Sequence, residues 1–381
     1  MTAPVPLSLY IHIPWCVRKC PYCDFNSHEP RGEVDQEAYV DALLLDLEHE
    51  LAGRTLPPLH SIFIGGGTPS LFEAAAIARL LDGVAERTPL QPGIEITLEA
   101  NPGTAEAARF AGYRAAGVNR LSIGVQSLDD VELAALGRIH TAAEARSAYR
   151  LARAAGFDNI NLDLMYGLPA QSLAGALDDL AGLVEMAPEH ISWYQLTLEP
   201  NTLFHHQPPS LPDEDGLADI MEAGQAMLAD AGYRQYEVSA YAMDGRQCRH
   251  NLTYWQFGDY LGIGAGAHGK INLAGGSIRR RSKQRQPAAY LASVAQGAIA
   301  GEREITRKEK PLEFFLNALR LSAGVPADLF EQRTGMPLVA MAAPLARARA
   351  LGLMQDRPER LQPSERGQRF LNDLLALFHP D

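Results

Sequence analysis

The chain has 381 residues, 46% hydrophobic and 21% charged, with a formal net charge of −12. This balance excludes a disordered chain, and no run approaches the roughly 18 consecutive apolar residues of a transmembrane helix. The acidic excess speaks against general nucleic-acid binding, which needs Lys and Arg for phosphate. At about 150 residues per domain, the length allows two to three domains or one large barrel with an addition, without disulfides.

The N-terminal MTAPVPLSLYIHIPWC carries no Lys or Arg before Arg18 and no long apolar core. It does not read as a signal peptide, and the cytoplasm is the expected compartment. Six short apolar runs follow one another: LSLYIHI (7–13), HSIFI (60–64), EITLE (95–99), NRLSIGV (119–125), NINLDLM (159–165) and HISWYQLTL (190–198). Between them lie longer Ala/Leu-rich segments, such as 39–51, 142–155 and 173–186, with apolar residues at helical spacing. Strands alternating with helices predict βα units on a parallel sheet. Six such units suggest a barrel or most of one.

From residue 200 the texture changes. PNTLFHHQPPSLPDEDG (200–216) reads as a Pro-rich loop, 217–231 as a helix and YEVSAYA (236–242) as a strand. The basic run RRRSKQR (279–285) reads as a solvated loop. Residues 306–381 hold 11 basic and 9 acidic residues and look like a separate small domain, so the acidic excess lies in the first 305. Three short helices and a short hairpin would fit a winged-helix-like unit. Its near-neutral charge suits contacts with its own chain or another protein rather than DNA. The predicted divisions are 1–235 (barrel), 236–305 (extension) and 306–381 (C-terminal helical domain).

Of four cysteines, Cys16, Cys20 and Cys23 are crowded together and Cys248 stands far downstream. Such crowding is a poor disulfide framework and points to a metal site in a reducing compartment. Three thiolates in C-x3-C-x2-C can meet three corners of a cuboidal [4Fe–4S] cluster and leave one iron open. The same spacing, with His28 as a fourth ligand, also suits tetrahedral zinc. Spacing alone leaves the two level. In parallel barrels, sites gather at the C-terminal strand ends. There the chain places Gly65-Gly66-Gly67-Thr68-Pro69, Glu99-Ala100-Asn101-Pro102, Gln126, and Asp163 before Tyr166-Gly167-Leu168-Pro169.

Cys16-Val-Arg-Lys-Cys20-Pro-Tyr-Cys23 resembles the radical S-adenosylmethionine (SAM) signature. Tyr10-Ile-His-Ile-Pro14, GGGTPS, EANP, GVQS and DLMYGLP resemble the subgroup holding oxygen-independent coproporphyrinogen III oxidase and the HemW-type heme chaperones. The similarity runs from about residue 7 to the C-terminus. It implies an α/β fold: a partial (β/α)6, TIM-like radical SAM barrel plus a small C-terminal, mainly helical domain. It also implies a [4Fe–4S] cluster on Cys16, Cys20 and Cys23, with SAM chelating the open iron. By the same resemblance Tyr10, Gly66, Gly67, Thr68, Glu99, Gln126, Arg138 and Asp163 line the SAM site. The chemistry is consistent: glycines let backbone approach closely, the carboxylates suit a cationic ligand and ribose hydroxyls, and Arg138 suits a carboxylate.

Two departures separate this chain from the oxidase pattern. Phe25 stands where the oxidase has a fourth cysteine, and only 15 residues precede Cys16. His250-Asn251-Leu252-Thr253-Tyr254-Trp255 is similar to the H-N-x-x-Y-W mark of the HemW type, which implies a heme contact at His250. Read on its own, that run could equally pack a loop over the barrel mouth, and Cys248 reads as a small buried hydrophobe. Gly264-Ala265-Gly266-Ala267-His268-Gly269 matches G-x-G-x-x-G but lacks a following helix pattern, so a turn or lid is expected and NAD binding is not. His205 and His206 are expected in solvent, and His12 against the barrel wall.

The first expectation is a heme chaperone that binds heme, a [4Fe–4S] cluster and SAM and passes heme to an acceptor protein, with no catalytic residue assigned. The alternative is a radical SAM oxidoreductase acting on a porphyrinogen. A zinc-bound structural module is a third. A homodimer stays open; nucleic acid and stable membrane insertion are not expected.

Overall fold

The computed structural model describes residues 5–103, 107–273 and 276–379. Its first strand, β1 (Leu7–Ile13), is buried at six of seven positions. That is the pattern of a parallel strand covered on both faces. It is followed by β2 (Leu59–Gly66), β3 (Leu90–Ala100), β4 (Arg120–Gln126), β5 (Ile160–Tyr166) and β6 (His190–Gln195). These six pair in parallel, in chain order. Helices Gln36–Leu51, Ala74–Arg87, Ala142–Ala154 and Leu173–Glu185 lie among the crossovers. Local chemistry starts three of them. Asp35 caps the first, Thr141 and Glu144 form a capping box, and Ser172 accepts from the Gly175 N–H.

The parallel unit does not close. Beyond β6 lies an antiparallel hairpin of β7 (Arg234–Glu237) and β8 (Ala240–Ala242). On the other edge β9 (Asp259–Ile263) adds parallel to β1, and β10 (His268–Asn272), β11 (Ile278–Lys283) and β12 (Ile299–Ile305) continue antiparallel. All belong to one twelve-stranded sheet, so 236–305 extends the barrel sheet on both sides. YEVSAYA is thus a hairpin, not one strand. The helix expected at 217–231 runs Glu214–Asp230 under an Asp213 cap. The Gly264–Gly269 run is the turn from β9 into β10, with Gly264 at φ +101° and Gly266 at φ +83°, and no helix follows it.

The basic run at 279–285 is a correction: it is mostly β11, not a solvated loop. Four of its five cations, all but Arg285, meet carboxylates from elsewhere in the chain. Lys283, 2% exposed at its side chain, pairs with Asp46 and Glu50. Arg281 pairs with Glu50 and Glu302, and Arg280 with Glu313. Charge that reads as solvent-facing is buried because its partners arrive from a helix more than 200 residues earlier, from β12 and from the C-terminal region.

The C-terminal region contains helices Lys310–Ala318, Leu329–Thr334 and Ala342–Ala350. Its hairpin joins strands on either side of the second and third helices, β13 (Val325–Pro326) to β14 (Arg360–Leu361). Its core holds Phe314, Phe315, Phe330 and Phe378 and is continuous with Tyr236, Phe257, Ile278 and Ile305 of the sheet region. It therefore contacts its own chain, as its charge suggested. Among the described residues no helix is long and apolar enough to cross a membrane.

Candidate functional site at the barrel mouth

The loop after β1 carries the three cysteines. Its ends are pinned by Cys16 N–H to the His28 carbonyl (3.0 Å) and His28 N–H to the Pro14 carbonyl (2.7 Å). The thiols of Cys16, Cys20 and Cys23 line one pocket of about 310 Å³, together with groups from the ends of β2 to β6. They share this pocket without converging on a point, and among the described residues no three His, Cys, Asp or Glu side chains do. A cuboidal cluster takes one thiolate at each of its protein-held corners. Burial pushes the Cys16 and Cys23 thiols up.

Gly66 and Gly67 are required by close approach. Gly66 has φ +116°, and a Cβ there would lie 2.6 Å from the His12 ring; one on Gly67 would lie 2.5 Å from the Trp15 carbonyl oxygen. Gly66 N–H donates to Glu99 Oε2 (3.1 Å). Thr68 Oγ1 donates to Cys16 Sγ (3.2 Å) and accepts from Asn101 Nδ2 (2.9 Å). Arg138 donates to Asn101 Oδ1 (2.8 Å), the Gly124 carbonyl (3.0 Å) and Cys20 Sγ (3.6 Å). Its Nε is buried and has no hydrogen-bond partner among the described residues.

Glu99 is pushed up to about 8, first by burial and then by the negative charge of Asp163. Burial also raises Asp163, although Asn161 Nδ2 (2.7 Å) and Ser122 Oγ (3.4 Å) donate to it. Two half-buried carboxylates within electrostatic reach of each other form a site that a cation would stabilise. Gln126 lies at a bulge with φ +70°, its Oε1 accepting from the Tyr194 hydroxyl (2.7 Å). The structure thus brings Gly66, Gly67, Thr68, Glu99, Gln126, Arg138, Asp163 and the three cysteines to one pocket. The unpaired Arg138 Nε, the raised carboxylates and the side-chain-free glycine turn fit a small zwitterion that also bears a positive charge, as SAM does.

Tyr10 is not in that pocket. It lines the adjoining cavity, with its hydroxyl 2.9 Å from His12 Nδ1. His250 lies in the interior. It is 1% exposed, and both ring nitrogens are engaged, Nδ1 with Ser61 Oγ (3.0 Å) and Nε2 with the Tyr254 hydroxyl (2.8 Å). Cys248 is fully buried, its thiol pushed up to about 12 by burial, with Sγ 3.6 Å from Glu95 Oε1. It is an inert interior thiol. His205 and His206 are exposed in a one-turn helix, and His12 is buried against the barrel wall.

Sequence reasoning missed Ser122, Ser192 and Tyr194, which also line the pocket. Their signal was present as period-two alternation, because Ser192 pairs in register with Asp163. It also missed the fully buried Arg120, hidden in an apolar run.

The family model for the radical SAM superfamily matches residues 10–180, and that for the HemN C-terminal domain matches 305–370. The chain is 51% identical over 377 residues to the heme chaperone HemW of Haemophilus influenzae, covering 98% of each. It is 52% identical to the heme chaperone HemW of Escherichia coli, again over 98% of each. The solved structure of the E. coli coproporphyrinogen III oxidase HemN, a radical SAM enzyme, superposes with a TM-score of 0.82 at 25% identity, covering 98% of this chain and 90% of that one.

Proposed function

The chain belongs to the radical SAM superfamily and, within it, to the HemW family, and from that membership we propose that it is a heme chaperone: it binds a [4Fe–4S] cluster, SAM and heme, and passes heme to an acceptor protein. The observation that carries the reading is the pocket in which three cysteines face Arg138, whose Nε has no partner among the described residues, and two half-buried carboxylates of raised pKa. When bound, the cluster would offer SAM an iron that carries no protein thiolate. The chain's own residues do the rest. Cys16, Cys20 and Cys23 hold the cluster, and the Thr68 hydroxyl and Arg138 guanidinium stabilise negative charge on Cys16 and Cys20. Arg138 is suited to the SAM carboxylate, and Glu99 and Asp163 to its positive charge and ribose hydroxyls. The bare backbone at Gly66 and Gly67 admits the methionine end.

The oxidoreductase reading draws support from the HemN-like fold. Against it stands Phe25, 60% exposed, in the place of a fourth cysteine. The test is anaerobic cluster reconstitution followed by SAM, reductant and coproporphyrinogen III, with a parallel heme titration. We expect saturable heme binding and no protoporphyrinogen IX; its formation would overturn the chaperone reading in favour of the oxidase. Size-exclusion of the loaded protein decides between monomer and homodimer, and cell fractionation tests the cytoplasmic assignment.

A further inference from the structure

A second cavity, of about 590 Å³, adjoins the cysteine pocket and shares Phe25, Gly66 and Glu99 with it as a common wall. Its size falls within the roughly 300–1,000 Å³ of sites that bury small ligands and cofactors. Phe25, Tyr254, Trp255 and Tyr260 give it flat aromatic surface. Arg280 and Arg285 give it positive charge. Arg280 is committed to Glu313 and to the Tyr260 hydroxyl (3.2 Å), but its Nε is buried without a partner. Arg285 is exposed, makes no ion pair among the described residues, and touches only Asn26 through its side chain, at 3.4 Å.

Two histidines line the cavity, and they differ. His12 spends both ring nitrogens, on the Tyr10 hydroxyl (2.9 Å) and the Asn26 carbonyl (2.9 Å). His268 is exposed into the cavity and makes no side-chain hydrogen bond among the described residues. In the antiparallel β10–β11 ladder His268 faces Ser282 and Lys270 faces Arg280. His268 and Arg280 therefore project from one face of the sheet as diagonal neighbours. Burial, then the charges of Arg280 and Arg285, lowers the His268 pKa, which keeps the imidazole in the neutral form that binds metal.

Building on the heme-chaperone reading, we propose that this cavity receives the heme, with His268 as the ligand to its iron and Arg285, aided by Arg280, as the partner of its carboxylates. The four-residue spacing of His250 and Tyr254 has another use. His250 braces the Tyr254 hydroxyl, and Tyr254 is the cavity wall. His250 is a positioning residue.

The experiment titrates hemin into the cluster-loaded full chain and follows the Soret band. His268→Ala is expected to shift the band and weaken binding about tenfold or more, with iron–sulfur content unchanged and the spectrum restored by free imidazole. Arg285→Ala should weaken binding of hemin but not of its dimethyl ester. His250→Ala should retain the wild-type Soret position. A wild-type titration in His268→Ala, or a Soret shift in His250→Ala with unchanged circular dichroism, overturns the ligand assignment. Equal loss of hemin and ester binding in Arg285→Ala overturns the carboxylate assignment. If the wild-type chain itself does not bind hemin saturably, the chaperone reading fails instead.

Discussion

The two ends of the parallel strands treat polar groups in opposite ways. At the N-terminal end many interior polar groups are paired with one another, although Arg120 Nε and Thr97 Oγ1 find no partner among the described residues. Ser8 bonds Ser61 and Thr253, Ser61 bonds His250, His190 joins Asn161 to Tyr236, and Glu95 accepts from Cys248 Sγ and from the Arg249 and His250 N–H groups. At the C-terminal end the groups are left wanting. Arg138 Nε is unpartnered, Glu99 is held near-neutral against its ordinary behaviour, and His268 makes no side-chain bond. The same residue types occur at both ends, so type does not separate scaffold from site. A group at the mouth that lines the pocket and lacks an internal partner is a candidate to meet a ligand.

The sharpest break of this comparison sets one cysteine against another. Cys20→Ala should abolish the broad visible iron–sulfur absorbance and lower bound iron, while Cys248→Ala should leave both intact. Loss of cluster in Cys248→Ala would place that thiol at the site. Next comes the floor. Glu95→Ala leaves Cys248 Sγ and the Arg249 and His250 N–H groups without their acceptor and uncaps the helix Arg249–Trp255, so about 1–3 kcal/mol of stability should be lost in denaturant melts. A loss below about 1 kcal/mol would contradict that pairing.

At the mouth the sign reverses. Glu99 has a folded pKa raised above the unfolded value, so its ionisation destabilises the ligand-free protein fully above about pH 8, and the penalty disappears as pH falls toward 4.5. Glu99→Gln should therefore stabilise the ligand-free chain by on the order of 3 kcal/mol at pH 9, with the gain vanishing near pH 4.5, and should weaken SAM binding. Melting curves across that range check it; a pH-independent difference would contradict the assignment. The smallest effect is expected at His268. Its replacement by Ala should change stability by no more than about 0.5 kcal/mol, since it satisfies nothing in the fold.

Much of this was legible in the residues. Strands buried on both faces appear as continuous apolar runs, and the strand ends where they give way to Gly, Asn and Gln are local events that a one-dimensional reading can see. The cysteine spacing and the strand-end motifs belong to that class, as do the capped helices. The basic run 279–285 was misjudged because Asp46, Glu50, Glu302 and Glu313 are remote from it in the chain. The partners of His250 were not legible because nothing near it in sequence shows that Ser61 meets one of its nitrogens.

By itself, then, the sequence determined the parallel α/β architecture, the thiol set and the ring of strand-end groups. These follow from periodicity and from side chains a few residues apart. Only the tertiary structure decided which charged and imidazole groups are satisfied. It placed Cys248 and His250 in the interior with internal partners, buried Lys283 in β11, and left Arg138 Nε and the His268 ring without hydrogen-bond partners among the described residues. Desolvation and pairing depend on which distant segments pack together, and no local pattern encodes that.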